Sequence, residues 1–152
     1  MSTILKHSKK DFLKMHKAGK LAAKVLDYIN DFIKPDITTN YLNDLCHQFI
    51  IENNGIPAPL NYKGFPKSTC ISVNHVVCHG IPGDKILKNG DILNIDVTVI
   101  LDGWYGDTSR MFYVGKPSAK AKILTKITYE CLMIGIETCL LYTSDAADDR
   151  LS

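Results

Sequence analysis

The chain has 152 residues, one ordinary domain's worth, and 45% of them are hydrophobic, which supplies a core and excludes a disordered tail. Its net charge of +2 excludes polyelectrolyte behaviour as a whole. The 5 cysteines are odd in number and show no CxxC spacing, which argues against a disulfide framework and for a reducing compartment.

The opening stretch MSTILKHSKK is too polar for a signal core. No apolar run approaches the ~20 residues of a membrane helix, so a soluble, cytoplasmic protein is expected. Ser8 is placed to cap a first helix, with Asp11 three residues on. Phe12, Met15, Ala18, Ala22, Val25, Leu26 and Ile29 then follow helical spacing, and Pro35 is expected to close the helix. Lys6, Lys9, Lys10, Lys14, Lys17, Lys20 and Lys24 crowd the same region against Asp11. That is either a solvated helix face or a weak docking face for nucleic acid or another acidic surface.

Thr38 or Thr39 is expected to cap a second helix, with Leu42, Leu45, Cys46, Phe49 and Ile50 as its apolar stripe and Gly55 as its C-terminal cap. IPAPLNYKGFP, rich in proline, reads as an ordered loop or an edge segment. STCISV and VVCHGI read as strands, with Asn74-His75 as the turn between them, and PGDKILKNGD as a polar connector. ILNIDVTVIL and WYGDTSRMFYV read as two further strands around Asp102-Gly103, a strong hairpin signal. A third helix is expected after Lys116-Pro117, with Ile123, Leu124, Ile127, Cys131, Leu132 and Ile134 on its apolar face.

A two-residue hairpin loop at Asp102-Gly103 sets Thr98 opposite Asp107 and Asp96 opposite Ser109. Because side chains alternate along a strand, Asp96, Thr98, Asp107 and Ser109 then share one face. Asp96 and Asp107 become diagonal neighbours, their Cβ atoms roughly 7 Å apart or less. The other face is expected to carry Ile95, Val97, Val99 and Met111, and Arg110 falls on that face too. Two carboxylates on a half-buried sheet repel and lose hydration. A metal cation resolves this: oxygen donors suit Mg, Ca or Mn, and a set mixed with imidazole suits Mn, Fe, Co or Zn. Aspartate also occurs on solvated sheet faces, so spacing by itself leaves both readings open. His75 and His79 precede the hairpin, and His79 stands just before Gly80 and Pro82, where a side chain at a strand end reaches a cleft.

The stretches YKGFPKSTCISVNHVVCHGIP and LKNGDILNIDVTVILDGWYGDTSRMF closely resemble the type I methionine aminopeptidases of metallopeptidase family M24, over about residues 1–137. The resemblance implies an α+β fold of the pita-bread kind, here its N-terminal half: an antiparallel sheet with flanking helices. It implies removal of the initiator methionine from nascent proteins with a small second residue, by water activated between two divalent metal ions (Co, Mn, Fe or Zn). By the family's motifs, Asp96 and Asp107 are metal ligands, and His79 contacts substrate near the scissile bond and aids the transition state. Tyr62, Phe65 and Cys70 line the methionine pocket, and Pro59 stands where many members have cysteine. Thr98, on the carboxylate face, is a hydrogen-bonding partner for the metal ligands. Nascent polypeptides with N-terminal methionine are the implied partners, with the lysine-rich helix as a ribosome contact, no membrane, no specific DNA and a monomeric parent.

The family's centre uses five protein ligands, the other three being a histidine and two glutamates from its second half. No histidine follows His79 here, and Glu130 and Glu137 do not match the ligand motifs. The chain is therefore expected to be an inactive N-terminal part of a longer enzyme. Residues 138–152, ending SDAADDRLS, read as a non-native tail resembling a translated sequencing adapter. Two other readings are a proline peptidase of the same superfamily and a non-catalytic half-fold that works through its basic first helix.

Overall fold

The computed structural model describes residues 6–138. Helix α1 spans Lys9–Asn30 and begins as expected. The Ser8 hydroxyl accepts from the Asp11 N–H, and the Asp11 carboxylate accepts from the Ser8 N–H at 2.8 Å, a reciprocal capping box. Those bonds to Ser8 hold the Asp11 carboxyl below its usual range. Ala18, Leu21, Ala22, Val25, Leu26 and Ile29 are buried. Phe12 and Met15, expected on that face, are exposed instead, because burial starts at Ala18, where the helix meets Gly106. The helix also stops at Asn30, ahead of Pro35, since Phe32 and Ile33 turn in to pack on the core.

Helix α2 spans Thr39–Glu52 and is capped by Thr38, whose hydroxyl accepts from the Tyr41 N–H at 3.1 Å. Leu42, Cys46 and Ile50 are buried, with Leu45 and Phe49 packed beside them. Its C-terminus corrects the expectation for Gly55. The left-handed residue is Asn54, at φ 60. The Gly55 N–H reaches the Ile50 carbonyl at 2.9 Å and the Asn54 N–H reaches Ile51 at 3.0 Å, a Schellman closure. Gly55 is small because a Cβ there would lie 2.8 Å from Leu21 Cδ2.

Four strands form one antiparallel sheet: β1 (Ile56–Pro57), β2 (Cys70–Val73), β3 (Ile92–Leu101) and β4 (Trp104–Tyr113). β4 pairs along the whole of β3, so β1 and β2 share the opposite edge of β3, end to end. The proline-rich loop supplies β1 and a 3₁₀ turn over Tyr62–Gly64. Leu93, Ile95, Val97 and Val99 of β3 point into the core, where α1 and α2 cover the sheet. Close approach fixes this layer: a Cβ on Gly106 would stand 2.2 Å from the Ala18 carbonyl oxygen.

VVCHGI does not form the expected strand. The turn at Asn74-His75 is present, but residues 76–82 run as irregular chain. Asn74 (φ 54) and His79 (φ 53) leave the extended region, and Val77 is 92% exposed, so no ladder is continued. The polar connector that follows is pinned by an isolated bridge between Thr38 and Ile86 and by the buried Leu87.

Helix α3 (Ala119–Thr138) belongs to a separate unit that begins at Ser118. Ser118 Oγ accepts from the Ala121 N–H at 3.2 Å and starts the helix. The face expected to be buried, with Ile123, Leu124, Ile127, Cys131, Leu132 and Ile134, is exposed, since a lone helix has no neighbour in its own unit to bury it against among the described residues. Glu130 pairs with Lys126 at 3.6 Å. Cys46, Cys70, Cys78 and Cys131 are free thiols. No helix among the described residues is long and apolar enough to cross a membrane. Cys139 and the tail from 139 to 152 lie outside the described residues.

Candidate metal centre

The hairpin turns on Asp102 (φ 51) and Gly103 (φ 80), both in the left-handed region that a type I′ turn demands. That turn sets the register. Leu101 faces Trp104, Thr98 faces Asp107 and Asp96 faces Ser109. Asp96, Thr98, Asp107 and Ser109 therefore share the face away from the helices, while Ile95, Val97 and Val99 are fully buried on the other. Met111 was expected among the buried set. It lies opposite Asn94, on the carboxylate face, and its core place is taken by Phe112. Arg110, opposite Ile95, is directed to α1 and pairs with Asp27 at 2.9 Å. Its charge is therefore spent on Asp27 rather than on the two carboxylates.

Burial is the main force holding the Asp96 carboxyl above its usual range, and the charge of Asp107 adds to it. A hydrogen bond with Asp107 favours the protonated form further, while His79 pulls the other way. Hard oxygen donors in this arrangement fit a divalent metal ion. Among the described residues no third His, Cys, Asp or Glu completes a metal-holding group with them.

Asp96, Thr98 and Asp107 form one wall of a cavity of about 860 Å³. His79, Cys70, Tyr62 and Phe65 line the same cavity, as do Pro59 and Tyr105. Every residue singled out in the sequence for metal, substrate or catalytic work therefore meets in one place. Tyr105 was missed, although hairpin parity carries the signal: it is two residues from Asp107 and so on the same face. His75, the alternative histidine, does not line the cavity.

His79 is presented by strained backbone, at φ 53 for a non-glycine residue. Its neighbour Gly80 fixes it. The Gly80 carbonyl accepts from the Ile71 N–H at 2.8 Å and its N–H donates to Ser72 Oγ at 3.1 Å. A Cβ on Gly80 would lie 2.3 Å from the Ile71 carbonyl oxygen, so the loop can lie this close to β2 only as glycine. Cys70, opposite Asp96 across β2 and β3, is buried. Burial first, then the charge of Asp96, pushes its thiol up to about 11, so it presents a neutral, polarizable surface. Tyr62 stands beside Lys63, whose Nζ lies 5.4 Å from the ring centroid.

A family model described as metallopeptidase family M24 matches residues 13–143. A methionine aminopeptidase of Rickettsia prowazekii is 70% identical over 135 residues, covering 89% of this chain and 52% of its own length. A crystal structure of methionine aminopeptidase from the same organism superposes with a TM-score of 0.86 at 69% identity, over 88% of this chain and 54% of that one. A crystal structure of methionine aminopeptidase from Thermotoga maritima gives 0.83 at 33% identity, with the same coverage of 88% and 54%. The chain spans about half the length of the curated relatives it matches. Its antiparallel sheet and helices are those of the pita-bread fold over that half.

Proposed function

Since the chain belongs to metallopeptidase family M24, we propose that it contributes to a methionine aminopeptidase that removes the initiator methionine from nascent polypeptides. The activity is that of a full-length protein that also carries the relatives' second half. The observation that carries the reading is the convergence of Asp96, Asp107, His79, Tyr62, Phe65 and Cys70 on one cavity. The 70% identity to a relative named methionine aminopeptidase favours methionine over proline specificity.

In this reading Asp96 and Asp107 hold two divalent ions, of the Co, Mn, Fe or Zn class. When bound, such ions would supply Lewis acidity and ease deprotonation of water. Thr98 steadies the carboxylates from the same face. His79 donates a hydrogen bond to the scissile amide, where charge develops in the transition state. Tyr62, Phe65 and the neutral Cys70 thiol take the flexible thioether of the substrate's first residue. Among the described residues no third His, Cys, Asp or Glu joins Asp96 and Asp107, and the resemblance calls for a further histidine and two glutamates, so the 152-residue chain alone is expected to be inactive. The exposed lysines of α1, Lys9 to Lys24, offer a contact for ribosomal RNA in a cytoplasmic, monomeric enzyme working on emerging chains.

The test is methionine release from Met-Gly-Ser by the full-length protein supplied with Mn, Fe or Co. Release is expected. None with any of the three metals defeats the proposal, and measurable turnover by the 152-residue chain alone defeats the claim that it is half a site.

A further inference from the structure

Two of the most buried polar residues among those described lie outside the cavity, on α2. Thr39 is 2% exposed and Asn43 is 4% exposed. Neither lines the site. Each bonds a segment that leads into the cavity wall, while the Asn43 Nδ2 donates to the neighbouring Asp44 carboxylate at 3.1 Å.

Asn43 holds the approach to Cys70. Its Oδ1 accepts from the Ser68 N–H at 3.0 Å, the Thr69 N–H at 3.2 Å and the Thr69 hydroxyl at 3.3 Å. His47, one turn further on, bonds Ser68 Oγ through Nδ1 at 2.8 Å. Asn40, one turn earlier, accepts from the Lys67 ammonium. Positions 40, 43 and 47 are one stripe of the helix, and that stripe clamps residues 67–69. The clamped segment joins Phe65 to Cys70, two residues that line the cavity.

Thr39 holds the exit from His79. Its hydroxyl donates to the Gly83 carbonyl at 3.1 Å and accepts from the Gly83 N–H at 3.0 Å. The Thr39 N–H reaches the Lys85 carbonyl at 3.0 Å and the Asn40 N–H reaches the Gly83 carbonyl at 2.9 Å. His79 is thereby held on both sides, by Gly80 on β2 and by Gly83 on α2.

We propose that α2 is the positioning element of the site, with Asn43 setting the pocket strand and Thr39 setting the imidazole loop. The inference rests on the aminopeptidase reading, in which Cys70 binds substrate and His79 acts at the scissile bond. Its signature is a division of labour. Asn43 governs how well substrate is held, and Thr39 governs how fast it is cleaved.

The experiment uses the full-length enzyme supplied with Mn, and Met-Gly-Ser as substrate. Asn43→Ala is expected to raise KM about tenfold with kcat within about twofold, and Thr39→Val to lower kcat about tenfold with KM within about twofold. Thr39→Ser, which keeps the hydroxyl, restores kcat. Hydrogen exchange read by mass spectrometry gives a second measure independent of turnover. Asn43→Ala loosens residues 67–70 and leaves 79–85 protected, and Thr39→Val does the reverse. Kinetic parameters that stay at the unmutated values, or that fall together in both variants without rescue by serine, overturn the proposal. So does exchange that rises in both segments alike. An unmutated enzyme that releases no methionine instead sinks the reading of the site, a result distinct from these.

Discussion

The hairpin and the His79 loop face the same cavity, yet they are built by different means. β3 and β4 are paired residue by residue from Ile92↔Tyr113 to Leu101↔Trp104, and the ladder itself decides where Asp96 and Asp107 point. The loop from Asn74 to Gly83 has no ladder. Its shape comes from distant anchors: Ile71 and Ser72 on Gly80, and Thr39 on Gly83. The carboxylates are thus local property, set by the type I′ turn a few residues away. The imidazole is tertiary property, set by elements that lie before it in the chain, as far back as Thr39, which is 44 positions from its partner Gly83. Damage to the two halves of the site should therefore separate.

The largest effect is expected on the hairpin. The unmutated 152-residue chain is expected to bind Mn or Co weakly in calorimetric titration, and Asp107→Ala should abolish that binding. In the full-length enzyme it should cut methionine release by at least about 10³-fold, since metal assistance contributes several kcal/mol to the transition state. Asp96→Ala should match it. Binding isotherms that overlay those of the unmutated chain would remove the metal from this face.

Gly80→Ala comes next and strikes the other region. The new Cβ would lie 2.3 Å from the Ile71 carbonyl oxygen, which is backbone and cannot swing aside. The loop must move, and a displacement of about 1 Å at a reacting group costs about 10²-fold in rate. Metal titration of the same variant should be unchanged, because the hairpin does not depend on the loop. A variant that loses metal binding and turnover together would show that the two regions are coupled and not separately built.

The same division explains what was legible in the sequence. Asp102-Gly103 declares its turn locally, and parity across it placed Asp96, Thr98 and Asp107 on one face. The same parity sets Met111 opposite Asn94, on the carboxylate face and not in the core. The apolar run of VVCHGI has strand composition. That composition is silent on the left-handed backbone of Asn74 and His79 and on the anchors that replace a ladder. Phe12 and Met15 have helical spacing but stand ahead of Ala18, where the sheet begins to cover α1, and periodicity cannot say where a partner starts. The roles of Cys70, Tyr62 and Phe65 had no local signal. They came from the family resemblance, and tertiary folding brings these residues to the cavity wall.

The smallest expected effect lies where the two regions join. Asp91 ends the connector and precedes β3, and its carboxylate accepts from Asn74 Nδ2 at 2.9 Å and from the Lys88 N–H at 2.8 Å. Asn74 opens the His79 loop and in turn accepts from the Ile92 N–H at 3.1 Å. Burial alone pushes the Asp91 carboxyl up, but the bonds from Asn74 and Lys88, with the charges of Lys85 and Lys88, outweigh it and hold the group below its usual 3.8. A carboxyl depressed in the folded state stabilises fully above its unfolded pKa and loses that contribution as pH falls through the lower, folded value. An exposed clasp of this kind contributes under about 1 kcal/mol once solvent screening is counted. Asp91→Asn should therefore lower the melting midpoint slightly at neutral pH. The gap to the unmutated chain should close as pH drops below 3.8. A gap that persists unchanged in acid would mean that Asn74 and Lys88 hold the junction without the charge. The loop would then be anchored at this end by neutral hydrogen bonds, as it is at Gly80 and Gly83.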